Sequence, residues 1–281
     1  MKKHVAGIIP VAGLKSDFDL PWHPSLMPLA PNYLAVERSV AECAYAGCNT
    51  IWMVCNDDVT PLIRYQVGEK IQDPVYDYRH FEHNKNDVKR PIRIYYTPVS
   101  PRDINKRDSL TWSVLHGAKT AHKIMKSIST HLTPDKYYIS WPYGYYNPRI
   151  MRGSRRDILE SNVALAQEGQ TVKDNHYLGL TLTIDHIEEL HSKVKSLSTG
   201  LWRDSTRKEK LPVEERYSYR NFDLKTALQE LSLENYKMVN VEDYCAIDTW
   251  SGYCDLLGKL PDIKRPAILK YSEWNEIGFD E

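Results

Sequence analysis

The sequence predicts a three-layer α/β fold with a Rossmann-like, mostly parallel sheet. Buried-strand patterns alternate with helical patterns along the chain, which is typical of a parallel sheet covered by helices on both faces. The first apolar run, "VAGIIPVAG" at 5–13, contains no charged residue and ends in a glycine. A run of this kind predicts a central strand that is buried on both faces.

The remaining elements follow in order. Strands are predicted from "TIWMVCND" (50–57), "IRIYYTPV" (92–99), "KYYISWPYG" (136–144), the first half of "HYLGLTLTIDHIEELHSKV" (176–194) and "YKMVNVEDYCAID" (236–248). Helices are predicted over 33–48, 60–71, 107–125, about 154–168, the second half of 176–194, 221–231 and 251–258. Asp108 or Ser109 is expected to cap the helix that follows them.

Length and composition limit the organisation of the chain. Its 281 residues, 42% hydrophobic and 26% charged, are enough for one large domain. We expect residues 1–258 to form the α/β domain. Residues 259–281 show no clear period and are expected to pack on its body or on a partner, which leaves a homo-oligomer open.

Charge and cysteine content exclude several classes of protein. Lysine plus arginine equals aspartate plus glutamate, 37 each, which argues against nucleic acid as a partner of the whole chain. No apolar run approaches the roughly 20 residues of a membrane span. The five cysteines form no C-x-x-C pair, which predicts free thiols in a reducing, cytoplasmic compartment.

Two strand ends draw attention as a candidate site. Gly13 closes the first strand, and Asp248 ends an apolar strand just before the turn of "CAIDTWSGYCDLLG" (245–258). Ligands of α/β proteins usually bind at the carboxyl ends of strands. The simpler interpretation of Asp248 is a helix cap.

The order of several segments carries a family resemblance. These segments are "IIPVAGLKSD", "HPSLMPLAP", "VERSVAECAYAGCNTIWMVCND", "RDSLTWSVLHGA", "YLGLTLTIDHIEELH", "NFDLKTALQEL" and "YCAIDTWSGYCDLL". In this order they resemble the sugar-phosphate nucleotidyltransferases, the group that contains glucose-1-phosphate thymidylyltransferases and uridylyltransferases. The resemblance covers about residues 4–258 and implies a sheet of the nucleotide-diphospho-sugar transferase type.

The resemblance also implies an activity and a set of site residues. It implies transfer of a nucleotidyl group from a nucleoside triphosphate to a sugar phosphate, with release of pyrophosphate and with Mg²⁺ as cofactor. Asp248 corresponds to a metal-binding aspartate, and Lys15 is the candidate catalytic cation beside it. The implied nucleotide-binding residues are Ala12, Gly13, Leu14, Lys15, Ser16, Ser109 and Trp112. The implied substrate-binding residues are Tyr143, Gly144, Tyr145 and Lys173.

The chain departs from this family at several points. After Gly13 it reads Leu14-Lys15-Ser16-Asp17, where the family has a second glycine and an arginine. Ser25 stands in place of the lysine of a Pro-Lys segment, and "ISWPYGYYN" offers no acid where the family has its second metal-binding aspartate. Two hypotheses remain: a divergent nucleotidyltransferase, or a catalytically silent protein that binds nucleotide or sugar phosphate, or acts in assembly, on the same fold. A glycosyltransferase on a related fold is a weaker third.

Other polar clusters predict less. His80 and His83 lie beside Glu82 without a third zinc ligand at a recognised spacing. Asp57 and Asp58 fit a solvated turn better than a metal site. The basic clusters at 152–157 and 203–210 are typical of solvated surface, although they would also suit phosphate.

Overall fold

The computed structural model describes residues 3–13, 20, 22–74, 91–104, 106–107, 109–197, 224–259 and 263–269. Eight of its strands form one sheet in the order β11-β9-β10-β7-β1-β4-β6-β5. The strands are β1 (Val5–Pro10), β4 (Thr50–Cys55), β5 (Lys70–Gln72), β6 (Pro91–Pro98), β7 (Lys136–Ile139), β9 (Asn162–Ala166), β10 (Leu180–Leu182) and β11 (Tyr236–Asn240).

The sheet is mostly parallel, which confirms the predicted fold class. β1 pairs in parallel with β4 on one side and β7 on the other, and β4 pairs in parallel with β6. β10 runs antiparallel between β7 and β9, and β5 runs antiparallel at the edge beside β6. β1 therefore lies at the centre, and its carboxyl end meets those of β4 and β7 at one edge of the sheet.

Helices cover both faces. They are α1 (Ala35–Ala46), α2 (Thr60–Val67), α3 (Pro101–Ile104), α4 (Leu110–Ile128), α5 (Arg155–Glu160), α6 (Ile184–Leu197), α7 (Leu224–Leu228) and α8 (Trp250–Gly258). Short 3-10 helices span Pro24–Leu26, Thr130–Leu132, Pro148–Arg152 and Val172–Asp174. Two small strand pairs complete the structure: β2 (Pro28–Ala30) with β3 (Tyr33–Leu34), and β8 (Gly144–Tyr145) with β12 (Cys245–Ala246).

The hydrophobic core has two layers because successive strand residues point to opposite faces. In β1, Val5 and Ile9 join the layer under α1, whereas Ala6 and Ile8 join the layer under α4. All four side chains are almost completely buried. The uninterrupted apolar run at 5–13 is thus explained by burial of β1 on both faces, as the sequence predicts.

Three sequence predictions are corrected. The helix expected near 154–168 ends at Glu160, and Asn162–Ala166 forms β9 between β10 and β11. The helix expected over 60–71 ends at Val67 and is followed by β5. The helix expected over 33–48 begins at Ala35, because Tyr33–Leu34 forms β3 and pairs with β2. The segment that includes His80 and His83, and the cluster at 203–210, lie outside the described residues.

The start of the predicted tail packs on the domain. Ile263, Ile268 and Leu269 belong to the core layer under α1. Arg265 donates to the Glu37 carboxylate of α1 at 2.8 Å. The domain boundary at 258 stays a prediction. Within the described part of the chain, no helix has both the length and the apolar character needed to cross a membrane.

Candidate functional site

The Gly13 turn is docked against the start of α4. The Val11 and Ala12 amides both donate to the Val54 carbonyl of β4, at 2.9 and 3.0 Å. The Ala12 carbonyl accepts from the Ser113 hydroxyl at 2.7 Å. Gly13 has φ +91°, and a Cβ there would lie 2.6 Å from the Ser109 carbonyl oxygen. Glycine is therefore required both for backbone conformation and for close approach.

Ser109 lies against Gly13 because it is the N-cap residue of α4. Its hydroxyl accepts from the Trp112 amide at 3.2 Å, which confirms that Ser109 is the cap. Its side chain is buried. Gly13 and Ser109, two of the predicted nucleotide-binding residues, are thus in direct contact at the carboxyl edge of the sheet.

Tyr143 connects this turn to the far end of the chain. Its hydroxyl donates to the Val11 carbonyl at 2.5 Å, and its own carbonyl accepts from the Ile247 amide at 2.9 Å. Tyr143 is fully buried, and burial raises the pKa of its hydroxyl well above the usual value. The side chain holds two parts of the edge together, and contact between Tyr143 and substrate stays a prediction.

Asp248 directly follows Ile247, whose amide donates to the Tyr143 carbonyl. Its Oδ2 accepts from the Tyr177 hydroxyl at 2.7 Å, and the Tyr177 ring lies edge-on to Tyr143 with ring centres 5.7 Å apart. Burial, and then the Asp248 carboxylate, raise the pKa of Tyr177, which keeps the hydroxyl a donor. Asp248 is only partly buried.

Asp248 is not a helix cap. Thr249 has that position in α8, and its Oγ1 accepts from the Gly252 amide at 3.2 Å. The capping alternative for Asp248 is therefore wrong. A carboxylate is left at the strand end, beside the residues that carry the Gly13 turn.

The other predicted substrate residues have structural partners. Gly144 pairs with Ala246, and a Cβ at Gly144 would lie 2.7 Å from the Tyr244 ring, so this position is filled by packing. Lys173 donates to the Leu231 carbonyl at 3.0 Å. Tyr145 is half-buried, and burial raises the pKa of its hydroxyl.

The Trp112 ring is packed against neighbouring side chains. It is 4% exposed, stacks on His191 with ring centres 5.4 Å apart, and lies under the Arg107 guanidinium at 4.7 Å. The ring is packed between α4 and α6, and its stacking on a nucleotide base stays a prediction.

A buried ion pair fixes the turn that carries Tyr143. Glu42 and Arg38 of α1 are both fully buried and lie 2.9 Å apart. The Glu42 carboxylate accepts from the hydroxyls of Tyr138, Ser140 and Tyr146. These three donors flank the end of β7, so the network determines the path of the chain there.

The same network occupies the strand end that lacks an acid. Arg38 donates to the Trp141 carbonyl at 2.6 Å, and the Trp141 indole donates to the Leu178 carbonyl at 3.0 Å. Trp141 is 2% exposed. Where the resembled family has an aspartate, this chain therefore has a packed aromatic side chain.

The described residues can be compared with what a Mg²⁺ site requires. They contain no group of three or more histidine, cysteine, aspartate or glutamate side chains placed to hold an ion. Asp248 supplies a carboxylate at this edge, and Mg²⁺ in proteins commonly takes one or two carboxylates together with substrate phosphates. These residues fit an ion that arrives bound to phosphate and do not fit one held by protein alone. Leu14, Lys15 and Ser16 lie outside the described residues.

Two tyrosines at this edge were not predicted from the sequence. Tyr177 and Tyr244 lie beside Asp248 and Gly144, and the Tyr244 hydroxyl accepts from the Tyr177 amide at 2.8 Å. Only the excess of tyrosine, 19 against four phenylalanines, pointed to aromatic side chains with polar tips at such an edge.

Comparison with solved structures gives the same architecture. A putative glucose-1-phosphate thymidylyltransferase from Bacillus anthracis, in complex with a sucrose, matches with a TM-score of 0.51 and 10% identity over 94% of this chain and 98% of that one. A UDP-glucose pyrophosphorylase complexed with UDP-glucose matches with a TM-score of 0.51 and 10% identity, over 92% and 98% of the two chains. A 4-diphosphocytidyl-2C-methyl-D-erythritol synthase from Anaerococcus prevotii matches with a TM-score of 0.50 and 11% identity, over 94% and 97%.

At these identities the likeness establishes the fold, which is that of nucleotidyltransferases. No family model and no curated protein matches the sequence.

Proposed function

We propose that the protein binds a nucleoside triphosphate at the Gly13 turn and transfers its nucleotidyl group to a sugar phosphate or similar phosphate acceptor, releasing pyrophosphate. One observation carries the proposal: Tyr143 bonds to Val11 through its hydroxyl and to Ile247 through its carbonyl. This contact holds the glycine turn and the Asp248 carboxylate at one edge. The fold shared with nucleotidyltransferases supports the same general chemistry.

The roles follow from the charge that develops during transfer. Attack on the α-phosphate spreads negative charge over the phosphate oxygens, so cations and backbone amides stabilise the transition state. Lys15 follows Gly13 in sequence and is the proposed cation. Asp248 is the proposed ligand of a Mg²⁺ ion that enters with the triphosphate. The ion neutralises phosphate charge when bound.

A second function has its own observation. The end of β7 carries the packed Trp141 and no carboxylate, where the resembled family has its second metal-binding aspartate. This favours a protein that binds nucleotide or sugar phosphate without transfer. The two functions share a cleft and differ in turnover.

The test measures pyrophosphate released from each of four nucleoside triphosphates with a panel of sugar phosphates and Mg²⁺. We expect Asp248→Asn to lower the rate by at least about 100-fold, because the proposed ligand of the Mg²⁺ ion that neutralises charge in the transition state is removed. Asp255→Asn is the matched control, since Asp255 is exposed on α8 a few residues away. Its rate should equal that of the unmodified protein.

Binding separates the two functions. Thermal stabilisation by a nucleoside triphosphate without any pyrophosphate release would favour the silent binding protein. If neither release nor binding of any nucleotide or sugar phosphate of the panel occurs, both functions are excluded. Release that Asp248→Asn leaves unchanged would remove Asp248 from the site.

A further inference from the structure

A cavity lies between α4 and α6, on the face of the sheet opposite to α1. Its volume is about 580 Å³, and it extends from Trp112 near the start of α4 to Lys123 and Ile184. Cavities of 300–1,000 Å³ are typical of sites for small molecules. Neither Gly13 nor Asp248 lines it.

The lining is strongly basic in a chain whose net charge is zero. Four cationic side chains and two carboxylates give it a fixed charge of +2, from Arg107, Lys119, Lys123 and Lys195 against Asp103 and Glu188. A concave surface of one sign concentrates its field and attracts ions of the opposite sign. The cavity therefore favours an anion.

Two of the four cations are engaged within the fold. Arg107 pairs with Asp103 at 3.0 Å, and Lys119 donates to His191 Nδ1 at 3.2 Å. Lys123 and Lys195 are exposed and form no ion pair with any carboxylate of the described residues. These two lysines, one from each helix, provide charge that no described carboxylate neutralises.

Three histidines add donors to the same cavity: His116, His122 and His191. Burial, and then Lys119, Lys195 and Arg107, lower the pKa of His191 to about 4 against the opposite effect of Asp103. The ring is neutral at pH 7 and faces a local excess of positive charge. A bound anion would offset those cations and favour protonation of His191.

We infer that the cavity between α4 and α6 binds a small molecule with two or more phosphate groups. Lys123 and Lys195 hold the phosphates from opposite helices, and Lys119 and His191 donate to the remaining oxygens. Lysine serves as a point charge for phosphate, so the site does not require a planar group. This inference is independent of the function proposed for the Asp248 edge.

The test uses inorganic tripolyphosphate as the probe, in a chelator that removes divalent ions, with calorimetry on the full chain. The double variant Lys123→Gln/Lys195→Gln should bind at least about tenfold more weakly, because two charge-assisted contacts are lost. Lys126→Gln/Lys264→Gln is the matched control: it removes the same charge from two exposed lysines that do not line the cavity. This control should bind like the unmodified protein.

A second measurement reports on the cavity itself. The NMR titration of His191, assigned with His191→Gln, should move to higher pH when tripolyphosphate is added. The inference is overturned if the unmodified protein does not bind the probe, or if the two double variants lose affinity equally. It is also overturned if affinity continues to rise with polyphosphate chains of tens of units, because that behaviour indicates an extended polyanion surface.

Discussion

The two faces of the sheet use charge in opposite ways. Under α1, Glu42 and Arg38 are fully buried and form an ion pair. The Glu42 carboxylate also accepts hydrogen bonds from three hydroxyl groups. Between α4 and α6, Lys123 and Lys195 are exposed around a cavity and have no described carboxylate as partner. The Glu42 carboxylate finds its partners within the fold, whereas no described carboxylate pairs with Lys123 or Lys195.

This difference distinguishes structural charge from binding charge. A buried carboxylate is tolerated only when hydrogen bonds and an opposite charge replace the lost water. The Glu42 network meets that condition and fixes the turn at the end of β7. Cations that converge on a cavity without carboxylate partners keep their field available to a ligand. We therefore assign a positioning role to the α1 face and a binding role to the α4 face.

The largest expected effect breaks the buried network. Glu42→Ala leaves Arg38 buried without its carboxylate and removes the acceptor of three hydroxyls. We expect the free energy of unfolding to fall by about 3–5 kcal/mol, measured by denaturation with urea.

Two further variants decide whether burial is the cause. Glu160→Gln, which removes an exposed partner of Arg156, should leave stability unchanged within error. The apolar double variant Arg38→Met/Glu42→Leu should be more stable than Glu42→Ala, because it removes both charges together. A Glu42→Ala protein as stable as Glu160→Gln would contradict the positioning role.

The next effect concerns the contact between the Gly13 turn and α4. Gly13→Ala places a methyl group against the Ser109 backbone at a position with φ +91°. Gly169→Ala is an unusually close control, since Gly169 has φ +84° and nothing lies within 4 Å of the added Cβ. Both variants should lose about 1 kcal/mol from the backbone conformation, and Gly13→Ala should lose about 1–3 kcal/mol more from overpacking. Equal losses, measured by thermal unfolding, would show that the turn is not packed on α4.

The sequence predicted the frame of the fold because its signals are local. The apolar run at 5–13 and the glycine at the end of α1 predict their elements without any knowledge of neighbours. β9 was mistaken for helix because "NVALA" is rich in helix-forming residues. Pairing with β11 on one side and β10 on the other overrides that propensity.

The candidate sites were harder to predict because their residues are distant in sequence. Arg38 and Glu42 have the i,i+4 spacing of an ordinary solvated helix pair. Their burial depends on Tyr138 and Tyr146, about a hundred residues away. The cavity had one local signal, the spacing of His116, Lys119 and Lys123 along a single face of α4. Only the structure shows that α6 brings His191 and Lys195 opposite that face.

The smallest effect uses pH to test the charge of the cavity. The folded-state pKa of His191, about 4, lies below the ordinary value of 6.5 because of burial and then the cations Lys119, Lys195 and Arg107, with Asp103 acting in the opposite direction. The unfolded chain therefore binds more protons, and this contribution to stability is complete above pH 6.5 and decreases as pH falls toward 4. His191→Gln should flatten the dependence of stability on pH in that window.

The matched control is His131→Gln, which changes an exposed histidine outside the cavity and should keep the slope of the unmodified protein. The slope will not vanish in His191→Gln, because burial also lowers the pKa of His122. Tripolyphosphate should flatten the curve of the unmodified protein and leave that of Lys123→Gln/Lys195→Gln less affected, since the phosphates supply the negative charge that the cavity lacks. If stability depends on pH as steeply in His191→Gln as in His131→Gln, the surroundings of His191 are not electropositive. The contrast between this face and the α1 face would then fail.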